Sequence, residues 1–332
     1  VEGGGRLKKE YIYAVTSIHG YEKYLLSAQD MERLILAPDA NTCFQLLAEK
    51  GWEPTDGKAN DADALTKGES KKTYALVEEL IGDLAPFNVL FCENDFHNLK
   101  AAIKLVYLRQ GGEDTDKYFV WPTTVEPELI LQAARQHDFS ALPPAMAEAG
   151  LEAHQILSRT GNGQACDMAL DYAALLAIDA EGKRSGIDLL QRYASLKVDT
   201  ANIKAAVRAC HMRKGRDFLL RAIAPAGSLD TKALIDAAEK SPDDIYAYLA
   251  RTEYSGAVEA LKDSLTAFEV WCDNLLIESI RPQKHEYFSL EPLAAYILGR
   301  RNEIAMVRLI LSAKINHLSD AVIRRRWRQM YV

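Results

Sequence analysis

Apolar residues along this chain recur three and four positions apart with few interruptions. Leu25, Leu26, Met31, Leu34 and Ile35 form one such set. Phe44, Leu46 and Leu47 form another; so do Leu76, Leu80 and Leu84, and Leu170, Ala173, Ala174 and Ala177. That spacing places them on one face of a helix, whereas the strict alternation of a half-buried strand is scarce. Residues suited to helix starts precede the periodic runs: Ser27 with Asp30, Asp39 to Asn41, Ser228 with Asp230, and Ser241-Pro242-Asp243-Asp244 with proline in the first turn. An all-α fold is predicted. The polar stretch GWEPTDGKANDADALTKGES at 51–70 reads as the long loop of the first third. Shorter breaks are expected at 109–114, 142–146, after Gly161 and at 221–228.

Two strings expose a second, longer period. Residues 93–104 read ENDFHNLKAAIK and residues 197–208 read KVDTANIKAAVR. A shift of 104 pairs Asp95 with Asp199, Asn98 with Asn202, Leu99 with Ile203, Lys100 with Lys204 and Ile103 with Val207. A second equal shift reaches EIAMVRLIL, where Glu303, Val307, Arg308 and Leu311 take the places of the acid, the first apolar residue, the cation and the second apolar residue. Met306 stands where the other copies have asparagine, and Lys314 meets the apolar stripe. Upstream, DMERLILAPDANTCFQLL, VEPELILQAARQHDFSAL and LDTKALIDAAEKSPDDIYAYL share an acid, an apolar pair, an alanine and a second apolar helix. Equal spacing over three copies predicts three similar helical modules, 11–112, 113–215 and 216–332, after a flexible lead-in at 1–10. Asp95, Asp199 and Glu303 are each expected at a helix N-terminus, where a carboxylate suits the free amides and the dipole.

Composition narrows the functional classes. The 332 residues are 48% hydrophobic and 26% charged, enough for a sizeable buried core. No run approaches the length of apolar sequence that a membrane helix requires, and the opening residues lack the apolar segment of a signal peptide, which argues against export. Five cysteines, at 43, 92, 166, 210 and 272, lie far apart without a C-x-x-C pair and read as reduced, mostly buried thiols. The net charge is −7, but residues 281–332 hold ten Lys and Arg against four Asp and Glu. That segment is net +6, leaving −13 on the first 280 residues.

Catalytic constellations are not evident. His97 beside Asp95 suggests the start of an acid/base pair, yet no nucleophile with a recognisable setting accompanies it, and a surface histidine in the first turn of a helix is the plainer reading. GNGQAC at 161–166 lacks the third glycine, the lysine and the preceding strand of a phosphate loop, so it reads as a turn. The paired carboxylates Asp243-Asp244 and Glu78-Glu79 read as helix-start or solvated residues. No metal-ligand spacing occurs, so neither a catalytic metal, nor a cofactor, nor ATP binding by the chain alone is expected. RRRWRQMYV at 324–332, with Arg324, Arg325, Arg326 and Arg328 around Trp327, reads as a solvated helix face or as a docking face for an acidic protein. Nucleic acid ranks below both because the rest of the chain is acidic.

DFHNLKAAIK, the run EPLAAYILGRRNEIAMVRLILSAKINHLSDAVIRRRWRQMYV and the opening YAVTSIHGYEKYLLSAQDMERLILAPDANTCFQLLAEKGW together resemble the C-subunit family of prokaryotic V/A-type ATPases and ATP synthases, whose counterpart in the eukaryotic vacuolar enzyme is the d-subunit. The resemblance implies a funnel of three helical modules about a pseudo-threefold axis. It also implies a non-catalytic socket in the central stalk, on the cytoplasmic face of the membrane. There the chain receives the central shaft, sits on the membrane rotor ring and transmits torque for ATP-driven proton or sodium transport or for ATP synthesis. On that view the isolated chain is a monomer that neither enters the membrane nor binds nucleic acid. Lys100, Lys204 and Arg308, matched in the three copies, are the first candidates for partner binding, followed by Arg324, Arg325, Arg326 and Arg328. A helical-repeat adaptor unrelated to rotary motors is the alternative.

Overall fold

The structure, a computed structural model, describes residues 11–53, 60–108 and 116–332, and among them every regular element is a helix. The expected lead-in at 1–10 and the break at 109–114 lie outside the described residues, as do residues 54–59 of the expected long loop. The α-helices, in order, are α1 Ile12–Glu22, α2 Ala28–Leu36, α3 Ala40–Glu49, α4 Ala62–Ile81, α5 Cys92–Tyr107, α6 Pro127–Gln136, α7 Pro144–Thr160 and α8 Gly163–Arg184. They continue as α9 Asp188–His211, α10 Arg216–Ala222, α11 Thr231–Ala238, α12 Pro242–Leu249, α13 Val258–Asp263, α14 Leu265–Ile280, α15 Glu291–Ile315 and α16 Asp320–Arg324.

The starts follow local chemistry. Ser27 and Asp30 close a reciprocal capping box, Asp39 and Ser241 accept the amides of Thr42 and Asp244, and Pro242 occupies the first turn of α12. Gly161 ends α7 in the left-handed region and Asn162 caps α8, so GNGQAC is a helix-to-helix turn. One expectation fails: the polar stretch 51–70 is not loop throughout, because α4 begins at Ala62. Asp61 caps it by accepting the amides of Asp63 and Ala64. Its inward face is polar, with Thr66, Gly68, Glu69 and Thr73 buried beside Leu65 and Val77, so the apolar periodicity that announces a helix is absent there.

The chain divides into two compact units. One contains the described residues of 1–85, 187–189 and 259–332, the other those of 86–186 and 190–258. In the first unit, Met31, Leu34 and Ile35 of α2, Cys43 and Leu47 of α3, Trp52 and Leu65 pack with Met306, Val307, Ile310 and Leu311 of α15. Residues from opposite ends of the sequence therefore share one core. In the second unit, Phe96, Leu99 and Ile103 of α5 pack on Ile130, Leu131 and Ala134 of α6, on Met146, Ala149 and Ala153 of α7, and on Cys166 and Leu170 of α8. The apolar stripe marked by the repeated strings is interior, since Leu99, Ile203 and Val307 are all fully buried. Four of the five cysteines are buried and Cys210 is half-buried; all are free thiols.

The repeated acids act otherwise than expected. Asp95 lies in the first turn of α5, but Asp199 and Glu303 sit in the middle of α9 and α15, because both helices begin about three turns earlier than the matching strings. All three are buried, and all three anchor the start of a different helix. Asp95 accepts the amide of Val125, Asp199 that of Leu229 and Glu303 that of Leu26. In each case the donor immediately precedes the helix N-cap, which is Glu126, Asp230 or Ser27. Burial raises the Asp95 and Asp199 carboxyls above the usual carboxylate range, although the donors around them favour the ionised form.

The first two copies match in finer detail. Thr124 gives Asp95 its amide and hydroxyl, and Ser228 does the same for Asp199. The Asn98 side chain exchanges two hydrogen bonds with the backbone of Val120, as Asn202 does with Ala224. Met306 has no polar atom with which to repeat that exchange. Gly227 is required beside Asp199: it is left-handed at φ +87°, and a Cβ there would stand 2.2 Å from the Asp199 carboxylate oxygen.

Candidate functional site

The third anchor has a cationic partner where the other two are met by neutral amides and hydroxyls. Arg300, one turn before Glu303 on α15, donates to Glu303 through one guanidinium nitrogen and to Glu69 of α4 through another; its Nε donates to the Thr73 hydroxyl at 3.3 Å. Its guanidinium lies over the Trp52 ring, 5.2 Å from the centroid. Arg300, Glu69 and Glu303 are all buried. Lys72, half exposed, reaches the other oxygen of Glu69 at 2.7 Å. Nothing along the sequence links Arg300 to Glu69, 231 positions away.

This arrangement couples the anchor to pH. Burial pushes the Glu303 carboxyl up to about 7; the Arg300 guanidinium and the Leu26 amide oppose the rise, and Glu69 adds to it. The groups facing it are Arg300, Glu69 and Tyr296, all within the same unit. An unfolded glutamate titrates near 4.3, so the folded chain holds this proton over a window in which the unfolded chain has lost it. The contribution is complete below the unfolded pKa and disappears as pH rises through about 7. Stability should therefore fall by on the order of 3 kcal/mol from this group between about pH 4.5 and 8. Denaturant midpoints across that range test this, and Glu303→Gln should flatten the slope. An equal slope in the variant contradicts the assignment.

The seven cations singled out in the sequence divide between the units. Lys100, half-buried on α5, is paired with Asp171 of α8, and one turn on Lys104 pairs with Asp167 at 2.7 Å. Lys204, on α9, is half-buried in the same unit. The other five are in the first unit, where Arg308 of α15 pairs with Asp63 of α4, Arg324 with Glu32 of α2, and Arg328 with Asp273 of α14. Arg325 and Arg326 are exposed.

Three of the five meet around one groove. Arg308, Arg326 and Arg328 line a 430 Å³ depression with Val270 and Leu309 on its apolar side and Glu269 as its acid. Such exposed pairs as Arg308–Asp63 contribute little and exchange readily for another carboxylate.

The C-terminal run departs from the expected helix face. Only Arg324 belongs to α16; beyond it the chain runs out of the helix and is fixed along α14 and α15. The Gln329 amide donates to the Asn274 side chain at 2.7 Å, Asn302 donates to the Gln329 carbonyl at 2.9 Å, and Arg281 donates to the Met330 carbonyl at 2.9 Å. Met330 and Tyr331 are buried, and the Tyr331 ring lies so close to Gly299 that a Cβ there would be 2.9 Å away. The run's apolar end thus holds it in place, a signal that its dense arginines obscure.

His97 is exposed on α5 while Asp95 is buried and engaged with Thr124 and Val125, so the two do not form an acid/base pair. Among the described residues no helix is long and apolar enough to cross a membrane.

The sequence profile of the ATP synthase (C/AC39) subunit family matches residues 14–326. The C-subunit of the V-type sodium ATPase of Enterococcus hirae is 22% identical over 320 residues, covering 95% of this chain and 97% of that protein.

Proposed function

The chain belongs to the ATP synthase (C/AC39) subunit family, and on that premise we propose that it is the central-stalk socket of a V/A-type rotary ATPase. It is a non-catalytic component associated with such a complex. In the proposed role it receives the end of the rotor shaft, rests on the membrane ring at the cytoplasmic face and passes torque between them, during ATP-driven ion transport or ATP synthesis. The modules 11–112, 113–215 and 216–332 would surround the shaft as a pseudo-threefold funnel. The profile match across 14–326 carries this reading. The repeated anchors support it, because Asp95, Asp199 and Glu303 each bind the residue before a helix cap, a device that stiffens a part built to carry load. The relative is named for sodium; the choice between proton and sodium belongs to the ring and not to this chain.

For the shaft contact we propose the groove of Arg308, Arg326 and Arg328, with Lys100 and Lys204 of the second unit, and Arg324 and Arg325, as further partner-binding candidates. Rim arginines around a small apolar floor suit acidic groups on a partner, steering association more than fixing affinity. Changing Arg308, Arg326 and Arg328 together to glutamate should slow binding of the purified shaft proteins on the order of tenfold at low ionic strength, with the difference shrinking as salt is added. Surface plasmon resonance with a variant shown to fold by circular dichroism reads this directly. Unchanged kinetics would exclude the groove and leave Lys100→Glu with Lys204→Glu as the next variant.

A further inference from the structure

We propose that a second surface of this chain, formed by α1, the turn after it and residues 281–288, lies against anionic lipid headgroups. The proposal takes from the family reading only its setting, a complex built on a membrane; the contact itself rests on the chemistry of this face.

α1, IYAVTSIHGYE, turns Ala14, Val15 and Ile18 inward, yet its outer face is not the charged face of a solvated helix. Ile12, Tyr13, Thr16, Gly20, Tyr21 and Tyr24 face out, with Tyr13 75% and Tyr24 60% exposed. The helix's one acid, Glu22, is withdrawn, accepting from the Tyr331 hydroxyl at 2.6 Å with His19 Nδ1 at 3.2 Å. The neighbouring segment repeats the pattern. Glu286 is occupied by the amides of Tyr287 and Phe288, at 3.1 and 2.7 Å, while those two rings face solvent, Phe288 59% exposed. His19 joins the two parts, its Nε2 3.0 Å from the Glu286 carbonyl and its ring centroid 5.1 Å from that of Tyr287.

The cations of this face point to what covers it. Lys23 lies over the Tyr24 ring and Lys284 over the Tyr331 ring, each 4.8 Å from the centroid, and Arg281 and His285 are exposed nearby. Neither 11–24 nor 281–288 has an exposed acid, in a chain with 47 acidic residues. Tyrosine and phenylalanine beside lysine and arginine, with acids withdrawn, is the composition that settles at the level of lipid headgroups, rings among the acyl boundary and cations on phosphate. An apolar protein partner would leave these cations unmatched, so the charge favours an anionic membrane surface.

Sedimentation of the full chain with phosphatidylcholine vesicles, with and without phosphatidylglycerol, tests the proposal. The expected result is co-sedimentation that requires phosphatidylglycerol and weakens with salt. Tyr13→Ser with Tyr24→Ser, and separately Lys23→Glu with Lys284→Glu, should each lower it on the order of tenfold. The variant with Arg308 and Arg326 changed to glutamate should bind vesicles as the parent does. Failure to sediment with phosphatidylglycerol vesicles overturns the proposal, as does parent-like sedimentation of both face variants. So does a face variant that keeps its vesicle binding and loses binding to a detergent-purified rotor ring, which would make the face a protein contact. Shaft binding is unaffected by any of these outcomes, so the proposed function is judged separately.

Discussion

Arg300→Met should destabilise the chain by about 3–5 kcal/mol, because it strips the counter-charge from two buried carboxylates at once. Glu69 keeps Lys72, but Glu303 is left with the Leu26 amide alone. The loss should be largest above neutral pH and shrink as the solution is acidified, since a protonated Glu303 needs no partner. Adding Glu303→Gln to Arg300→Met should restore much of the stability, because glutamine still offers the Leu26 amide an acceptor while removing the charge. Urea denaturation of the two variants at pH 6 and pH 8 measures all of this. Equal losses at both pH values would mean that the network acts through packing and not through charge.

Asp199→Ala should be the most damaging change among the repeated acids, at about 3–5 kcal/mol. Four donors converge on this carboxylate: the Ser228 amide and hydroxyl, the Leu229 amide and the Tyr254 hydroxyl. Each buried donor left without an acceptor costs about 1–3 kcal/mol, offset in part by relaxation and water. Asp95→Ala should cost less, because Asp95 holds three donors and has no counterpart of Tyr254 among them. Hydrogen exchange should show the amides of 228 and 229 opening first in the Asp199 variant. Protection there equal to the parent's would show that the segment is held by something else.

The contrast between these sites explains how far the sequence could be read. Leu99, Ile203 and Val307 were legible as one buried stripe because helical packing leaves its period in apolar residues. The importance of Asp95, Asp199 and Glu303 was legible from their equal spacing, but their role was not. A carboxylate with an apolar stripe after it looks like a cap of its own helix. Nothing local shows that α9 and α15 have already run for about three turns, or that the amide being capped lies in another element. The inward face of α4 was hidden for a related reason, since Thr66, Gly68, Glu69 and Thr73 pack through polar contacts and small size. Long-range ion pairs such as Arg300 with Glu69 leave no periodic trace at all. The cations were the hardest to place. Lys100 and Arg308 match in the repeat, and each is engaged by an acid of a neighbouring helix, whereas the groove gathers Arg308 with Arg326 and Arg328 from the unrepeated C-terminal run.

The most direct test of the central claim is coupling measured with and without this chain. A rotary complex stripped of it should retain ATP hydrolysis in its catalytic head, while ATP-driven ion uptake into proteoliposomes is lost. Adding back the purified chain should restore uptake. Ion uptake that persists at the original rate in its absence would contradict the proposed role.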